Sequence, residues 1–501
     1  MRILPVRQKH QTMPLGTYGP LNLRTLRLKK EELLGHWHIM GKTGTGKSFF
    51  TALFFVCLLE LGFTATLLDP HAELSHLVLS VLAERGYFER PDAFTRLCYL
   101  DLPAASEARL FLPLHAFSDE RLSIHERAQT VVSAMQRAWP DLSGGHAPEF
   151  ERLALAGCHV LAANHLPLAL LADVLTDKPW REHLMQQVED RVVVDFFREY
   201  ERWGVQERVR LTGSTLRRAF HLSYHPALRY SLGQTRSVLD YRAILERDVS
   251  LIVNLNLGND ASRSLLGSLM TVALEQAGRS RRPRDGVDAL TPHFLIIDEF
   301  GEFVARSGAA LGAILSQLRK RSVFLVAIHQ DLQQVRDLLG ALQNVDREVL
   351  FRGGRADAVA WAPVLFRVDP SQIKHEVADE TAVGRTHPLF SPLSEQWESY
   401  VASVQSLRNR EAYVRLSDNG SDRVWKVRTL TVPKPTVAPE YLAQIEAEYR
   451  RRYFRPKEQI ERELAALRAA KPAAPPNGQV MGRTFSSGQS NGWARRAERL
   501  G

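Results

Sequence analysis

Cysteine is scarce in this chain of 501 residues: there are three, Cys57, Cys98 and Cys158, far apart and with no CxxC pair. That spacing excludes a disulfide framework and a cysteine zinc site, and it fits a reducing compartment. Long apolar runs are missing too. The one stretch that approaches a membrane span, residues 49–59, is closed by Glu60 well short of the ~18 residues a spanning helix needs, so it reads as a buried helix. Residues 1–15 are basic, contain Pro5 and Pro14 and have no apolar h-region, so no secretory signal is expected and the protein is expected in the cytoplasm. Internal repeats are absent. His36, His38 and His71 are not spaced as ligands, so no metal beyond Mg²⁺ is expected.

What is present is ordinary for a globular protein: 45% hydrophobic and 24% charged residues, which excludes a collagenous or wholly disordered chain. The length suggests roughly three structural units. Lys and Arg total 65 against 56 Asp and Glu, a formal charge of +9, which favours a polyanionic partner.

Short β-branched apolar runs at 38–40, 64–68, 97–100, 249–255, 294–297, 323–328 and 349–351 read as strands of a parallel sheet buried on both faces, with helices between them. Residues 117–236, rich in Leu, Ala, Arg and Glu at helical spacing, read as an all-helical insertion domain. The resulting division is an N-terminal segment 1–33, an α/β core over 34–116 and 237–432, the insertion 117–236, a C-terminal helical segment 433–470 interrupted at Pro456, and a disordered tail 471–501 carrying Arg495, Arg496 and Arg499.

The strongest motif is GKTGTGKS at 41–48, which follows a strand and opens a helix, as a phosphate-binding loop requires. Gly41, Thr43, Gly44, Thr45, Gly46, Lys47, Ser48 and Phe49 are the candidate nucleotide-binding residues. Backbone amides cradle phosphates, Lys47 reaches the β and γ oxygens, and Ser48 ligates Mg²⁺. The strand 294–297 delivers Asp298, a second candidate Mg²⁺ ligand, and Glu299, a candidate base for the attacking water. Another strand ends at His329 and Gln330, where a glutamine can sense a γ-phosphate. The acidic end of LLDPHAE (67–73) falls within reach of the same site. LSGGH (142–146) lies too far upstream of Asp298 to be a transporter signature and reads as a loop, and Arg279, Arg281, Arg282 and Arg284 read as a solvated basic turn.

The order of these motifs resembles the HerA/FtsK superfamily and, within it, the conjugative DNA-transfer (TraG/TraD-type) coupling ATPases. The carriers are HIMG (38–41) into the phosphate loop, LLDPHAE, LGQTRSVLDYRAIL (232–245), LIVNLNLG (251–258), FLIIDEFGEF (294–303), QLRKRSVFLVAIHQDL (317–332) and NVDREVLFRGGRADA (344–358). The resemblance implies a RecA-like P-loop NTPase core with a mostly parallel sheet, the insertion as an all-alpha domain, and a hexamer whose nucleotides sit at subunit boundaries. It also implies an arginine supplied in trans, matched by Arg319, with Arg321 and Arg352 as rivals. The sequence departs from the family at Ala72, where glycine is common, and at Ile328, where a small residue is.

The expected function is an ATP- and Mg²⁺-dependent, ring-shaped DNA translocase for conjugative or other cell-to-cell transfer. Its expected partners are DNA, other copies of the chain, DNA-processing proteins and a membrane or secretion-channel protein. With the phosphate loop starting at residue 41 and no intrinsic membrane span expected, recruitment to the inner membrane face falls to a partner. A HerA-like motor in repair or phage defence, and an ATPase energising a secretion channel without handling DNA, remain alternatives.

Overall fold

A computed structural model describes residues 11–139, 148–283, 290–303, 308–342, 345–378, 386–418, 421–430 and 432–469. The 142–146 loop and the 471–501 tail lie outside them.

The strands are, in chain order, β1 (Thr12–Tyr18), β2 (Arg24–Lys29), β3 (Trp37–Met40), β4 (Thr64–Asp69), β5 (Leu97–Asp101), β6 (Leu110–Phe111), β7 (Ser250–Asn254) and β8 (His293–Ile297). They continue with β9 (Val323–His329), β10 (Arg347–Phe351), β11 (Ile373–Ala378), β12 (Thr386–Phe390), β13 (Glu411–Asp418), β14 (Ser421–Thr429) and β15 (Arg455–Pro456). Eleven of them make one sheet in the order β2-β1-β14-β13-β10-β3-β9-β8-β4-β7-β5. From β10 to β5 every pairing is parallel, and β13, β14, β1 and β2 extend that block by antiparallel pairing.

The parallel strands read as unbroken apolar runs because both faces are covered. Successive residues feed different cores. Leu67, Phe294 and Ile296 pack with the helices Lys47–Glu60 and Glu73–Glu84, whereas Leu68, Leu295 and Ile297 face the opposite core, which is continuous with the insertion. The run 49–59 is the buried helix its length implied, and no helix among the described residues is long and apolar enough to cross a membrane.

Residues 12–29 lie within the expected N-terminal segment, yet the structure places them in the main sheet as β1 and β2. Their buried residues, Met13 and Leu15 on one strand and Leu26 and Leu28 on the other, alternate with polar positions, as a half-buried hairpin requires.

Between β6 and β7 the described chain is helical, with Ile124–Ala138, Pro148–Ala163, Arg191–Arg202 and Val205–Tyr224 as its longest helices. The first is started by a reciprocal cap: Ser123 Oγ accepts from the Glu126 amide, and the Glu126 carboxylate accepts from the Ser123 amide. Arg137 on this helix grips Glu275 of the helix Asp260–Arg279 through two hydrogen bonds of 2.9 and 2.8 Å, fixing the insertion to the core.

The basic turn is not solvated at Arg281. That side chain is 1% exposed and donates to the carbonyls of Leu245 (2.7 Å), Arg321 and Ser322 (both 3.3 Å), tying three turns together beneath β9.

Candidate functional site

In a parallel sheet the turns that leave the carboxyl ends of the strands gather on one edge. Here the phosphate loop after β3, Asp298 after β8 and Gln330 after β9 meet there, because β9 lies between β3 and β8.

Three glycines of the loop are required by geometry. Gly44 and Gly46 have φ of 76° and 109°, and a Cβ on Gly41 would lie 2.4 Å from that of Phe351. Thr45 Oγ1 donates to the Lys42 carbonyl at 2.7 Å, closing the loop on itself. Lys47 and Ser48 open the helix Lys47–Glu60, whose N-terminal amides carry the partial positive charge that suits phosphate. The Lys47 ammonium donates to the carbonyls of Gly41 and Lys42. Its pKa is lowered by burial, a shift opposed by the carboxylates of Asp298 and Glu299. Phe49 stands exposed at the same helix start.

Asp298 is pushed up to about 7, first by burial and then by the carboxylates of Asp69 and Glu299. Asp69 is fully buried at the end of β4 and is held by the amides of His71 (2.9 Å) and Ser75 (2.7 Å). A carboxyl so crowded by negative charge is one that a hard cation would relieve. The oxygen donors of Ser48 and Asp298 are of the kind that holds Mg²⁺, which would supply charge neutralisation there.

Glu299 is 7% exposed and adopts a left-handed backbone, φ 48° and ψ 51°. Gln330 Nε2 donates to its Oε1 at 2.7 Å, while Gln330 Oε1 accepts from Thr43 Oγ1 at 2.9 Å. One amide therefore links the candidate base to the phosphate loop. Its orientation is fixed by chemistry, because a carboxylate only accepts and the threonine must then donate. Behind it, the buried His329 and His38 rings meet Nε2 to Nε2 at 2.5 Å, and His329 Nδ1 contacts the Asp331 carbonyl at 2.8 Å.

The three arginines separate. Arg352 follows β10 directly and lies beside the phosphate loop of its own chain, its carbonyl accepting from the Lys42 amide at 3.0 Å. Arg319 and Arg321 lie before β9, at the opposite edge of the sheet, where Arg319 pairs with Asp346 at 2.5 Å. Ala72, where the family commonly has glycine, has φ 71°, a conformation that glycine adopts without strain.

Sequence reasoning missed Arg410. It precedes β13 with φ 69°, its amide donates to the Thr45 carbonyl at 2.8 Å, and its side chain lies over Gly46. Only the pairing of β13 with β10 brings it there, and no local pattern announces that pairing.

Elsewhere, His76, Asp101 and Glu446 bring ligand-type atoms within 4.8 Å of one another. The Asp101 oxygens already accept from His76 (2.9 Å), the Ala104 amide (3.0 Å), Asn254 (3.2 Å) and Tyr99 (3.3 Å), so the group reads as a charge-paired brace.

Residues 22–110 match the family model described as "Helicase HerA, central domain". No curated protein matches by sequence. Among solved structures, the chain is similar to the bacterial conjugative coupling protein TrwBΔN70 in its unbound monoclinic form, with TM-score 0.51 and 16% identity, over 87% of this chain and 92% of that one. Also similar are the plasmid coupling protein TrwB in complex with ADP and Mg²⁺ (TM-score 0.49, 16% identity, 87% and 92% covered) and VirB4 of Thermoanaerobacter pseudethanolicus (TM-score 0.47, 13% identity, 87% and 99% covered). The HerA match and the fold likeness bear out the expected resemblance to the HerA/FtsK superfamily and the RecA-like P-loop core.

Proposed function

We propose that this protein is an Mg²⁺-dependent ATPase that assembles head to tail into a ring, with a hexamer as the expected size, and moves DNA through its centre in conjugative or other cell-to-cell transfer. The observation that carries the reading is the hydrogen-bonded line from Thr43 through Gln330 to Glu299, laid beside Lys47, Ser48 and Asp298 at one edge of the sheet.

In this mechanism the loop amides and Lys47 hold the triphosphate and stabilise charge on the transferring group. Ser48 and Asp298 would hold Mg²⁺, which would supply positive charge against the charge of the triphosphate. Glu299 orients the attacking water and takes its proton, and Gln330 reports the γ-phosphate to the loop and to the base. Arg319 of one subunit completes the site of the next, where a guanidinium ties hydrolysis to the neighbour's conformation.

The formal charge of +9 supports a polyanionic substrate. The fold likeness to a conjugative coupling protein supports the transfer setting, with DNA-processing proteins and a membrane or secretion-channel protein as partners. The match to the HerA central domain favours a second setting for the same motor, DNA repair or phage defence.

The test is the steady-state ATPase rate of the wild type and of Glu299→Gln, without DNA and with single- or double-stranded DNA at two salt concentrations. Salt-sensitive stimulation by DNA that disappears in the variant is expected. A rate indifferent to DNA would move the reading to an ATPase that energises a secretion channel, and a fully active Glu299→Gln protein would remove Glu299 from the base role.

A further inference from the structure

We propose that Arg352, Asn409 and Arg410 form the nucleoside subsite, with the planar Arg410 guanidinium stacking on the purine ring. This rests on the ATPase reading and extends it to recognition of the base.

The polarity of the site comes first. Thr43, Gln330 and Glu299 join on the β9 and β8 side of the phosphate loop, which makes that side the hydrolysis end of a bound triphosphate. The loop then runs through Gly46 into its helix, and the strands on the opposite flank of β3 are β10 and then β13. A nucleotide laid along the loop points its nucleoside toward those two strands, and Arg352 and Arg410 flank them there.

Both residues are built into the loop. The Lys42 amide donates to the Arg352 carbonyl at 3.0 Å, and the Arg410 amide donates to the Thr45 carbonyl at 2.8 Å. Arg352 Nη2 donates to Asn409 Oδ1 at 3.3 Å, joining the two flanks. A Cβ on Gly46 would lie 3.2 Å from Arg410 Cγ, so the arginine stem crosses the loop at the last residue before Lys47.

The backbone at Arg410 adds an independent observation. Its φ of 69° is strained for any residue with a Cβ, and the strain is held from outside, since the Arg410 carbonyl accepts from both the amide (2.7 Å) and the hydroxyl (3.1 Å) of Thr429. Strain of this kind persists where the surroundings over-determine it, and it gathers at ligand sites. Glycine would adopt this turn without strain.

The chemistry fits a purine more closely than a phosphate. The loop amides and Lys47 already face the phosphates, and a guanidinium plane stacks on an aromatic ring in a way that an ammonium does not. With Asn409 Oδ1 taken by Arg352, its amide nitrogen is a donor suited to an acceptor on the base edge.

The experiment measures binding of MgATP and of magnesium tripolyphosphate, which has no nucleoside, to the full chain by calorimetry. Arg410→Gly keeps the left-handed turn without strain, and Arg410→Lys keeps the charge without the plane. Both are expected to weaken MgATP about tenfold and to leave tripolyphosphate within about twofold. Asn409→Ala, on an exposed loop, carries the same test if circular dichroism finds either arginine variant unfolded. Equal losses for the two ligands would put Arg410 on the phosphates and overturn the assignment, as would unchanged MgATP affinity. A wild type that binds neither ligand would overturn the ATPase reading itself, and the subsite with it.

Discussion

The position of Arg319 makes a quantitative prediction for mixed rings. Arg319 precedes β9, whose seven residues at about 3.3 Å each span about 23 Å before Gln330 is reached, further than an arginine side chain extends. It cannot serve the nucleotide of its own subunit, so any catalytic role must be in trans, across a head-to-tail interface. An Arg319→Ala protein and a Lys47→Ala protein should each be nearly inactive alone. Mixed in equal amounts and allowed to exchange, one subunit keeps Lys47 and its neighbour keeps Arg319 at about a quarter of interfaces, so about a quarter of the wild-type rate should return if sites act independently. Asp346 is a weak restraint on this role. Arg319 in the pair is 54% exposed, and exposed pairs contribute about 1 kcal/mol at most, so Asp346→Asn should change the rate less than about fivefold. The assay is phosphate release at a series of mixing ratios. No recovery at any ratio, with exchange verified by labelled subunits, would refute action in trans.

Removing the donor in Thr43→Val should lower turnover about tenfold with MgATP affinity nearly unchanged, because Gln330 loses the bond that orients its amide toward Glu299; Thr43→Ser should restore the rate, and failure to do so would deny the linkage. The Asp298 carboxyl, at about 7, keeps its proton below that pH, so the Mg²⁺ affinity of the ADP complex should fall about tenfold per pH unit below about 7 and level off above it. Asp69→Asn removes one of the neighbouring charges and should move the midpoint down relative to wild type, a comparison in which the titration of ADP itself cancels; superimposable profiles would refute the coupling. Arg281→Met should cost about 3 kcal/mol in urea unfolding by stranding buried carbonyls, and a loss under about 1 kcal/mol would show that those bonds matter little.

The meeting of the phosphate loop, Asp298, Glu299 and Gln330 was legible because each part is announced locally: a glycine pattern between strand and helix, an apolar run ending in Asp298 and Glu299, another ending in Gln330. The same holds for the parallel strands, whose burial on both faces leaves uninterrupted apolar stretches. What escaped depends on partners distant in sequence. The hairpin of β1 and β2 has only Met13, Leu15, Leu26 and Leu28 well buried among its alternating hydrophobics, too short a pattern to stand out beside Pro14 and Gly16. Arg410 meets Thr45 across hundreds of residues, and Arg281 looks like a surface cation until three carbonyls converge on it. Arg319 matched the family position with Arg352 as a rival, and only the direction of the strands put the two at opposite edges of the sheet.

The two margins of the large sheet are finished differently. At β5 the helix Pro439–Tyr453 lies alongside, and the Tyr449 hydroxyl donates to the Leu97 carbonyl at 2.8 Å, so a side chain occupies an acceptor that another strand would use. At β2 the outward residues include Arg24, Arg27 and Lys29, whose like charges discourage a second copy from aligning there. Both margins of the large sheet are thus closed to backbone pairing, so in the proposed ring the contacts between copies would fall to side-chain surfaces, which can part and re-form without breaking a sheet.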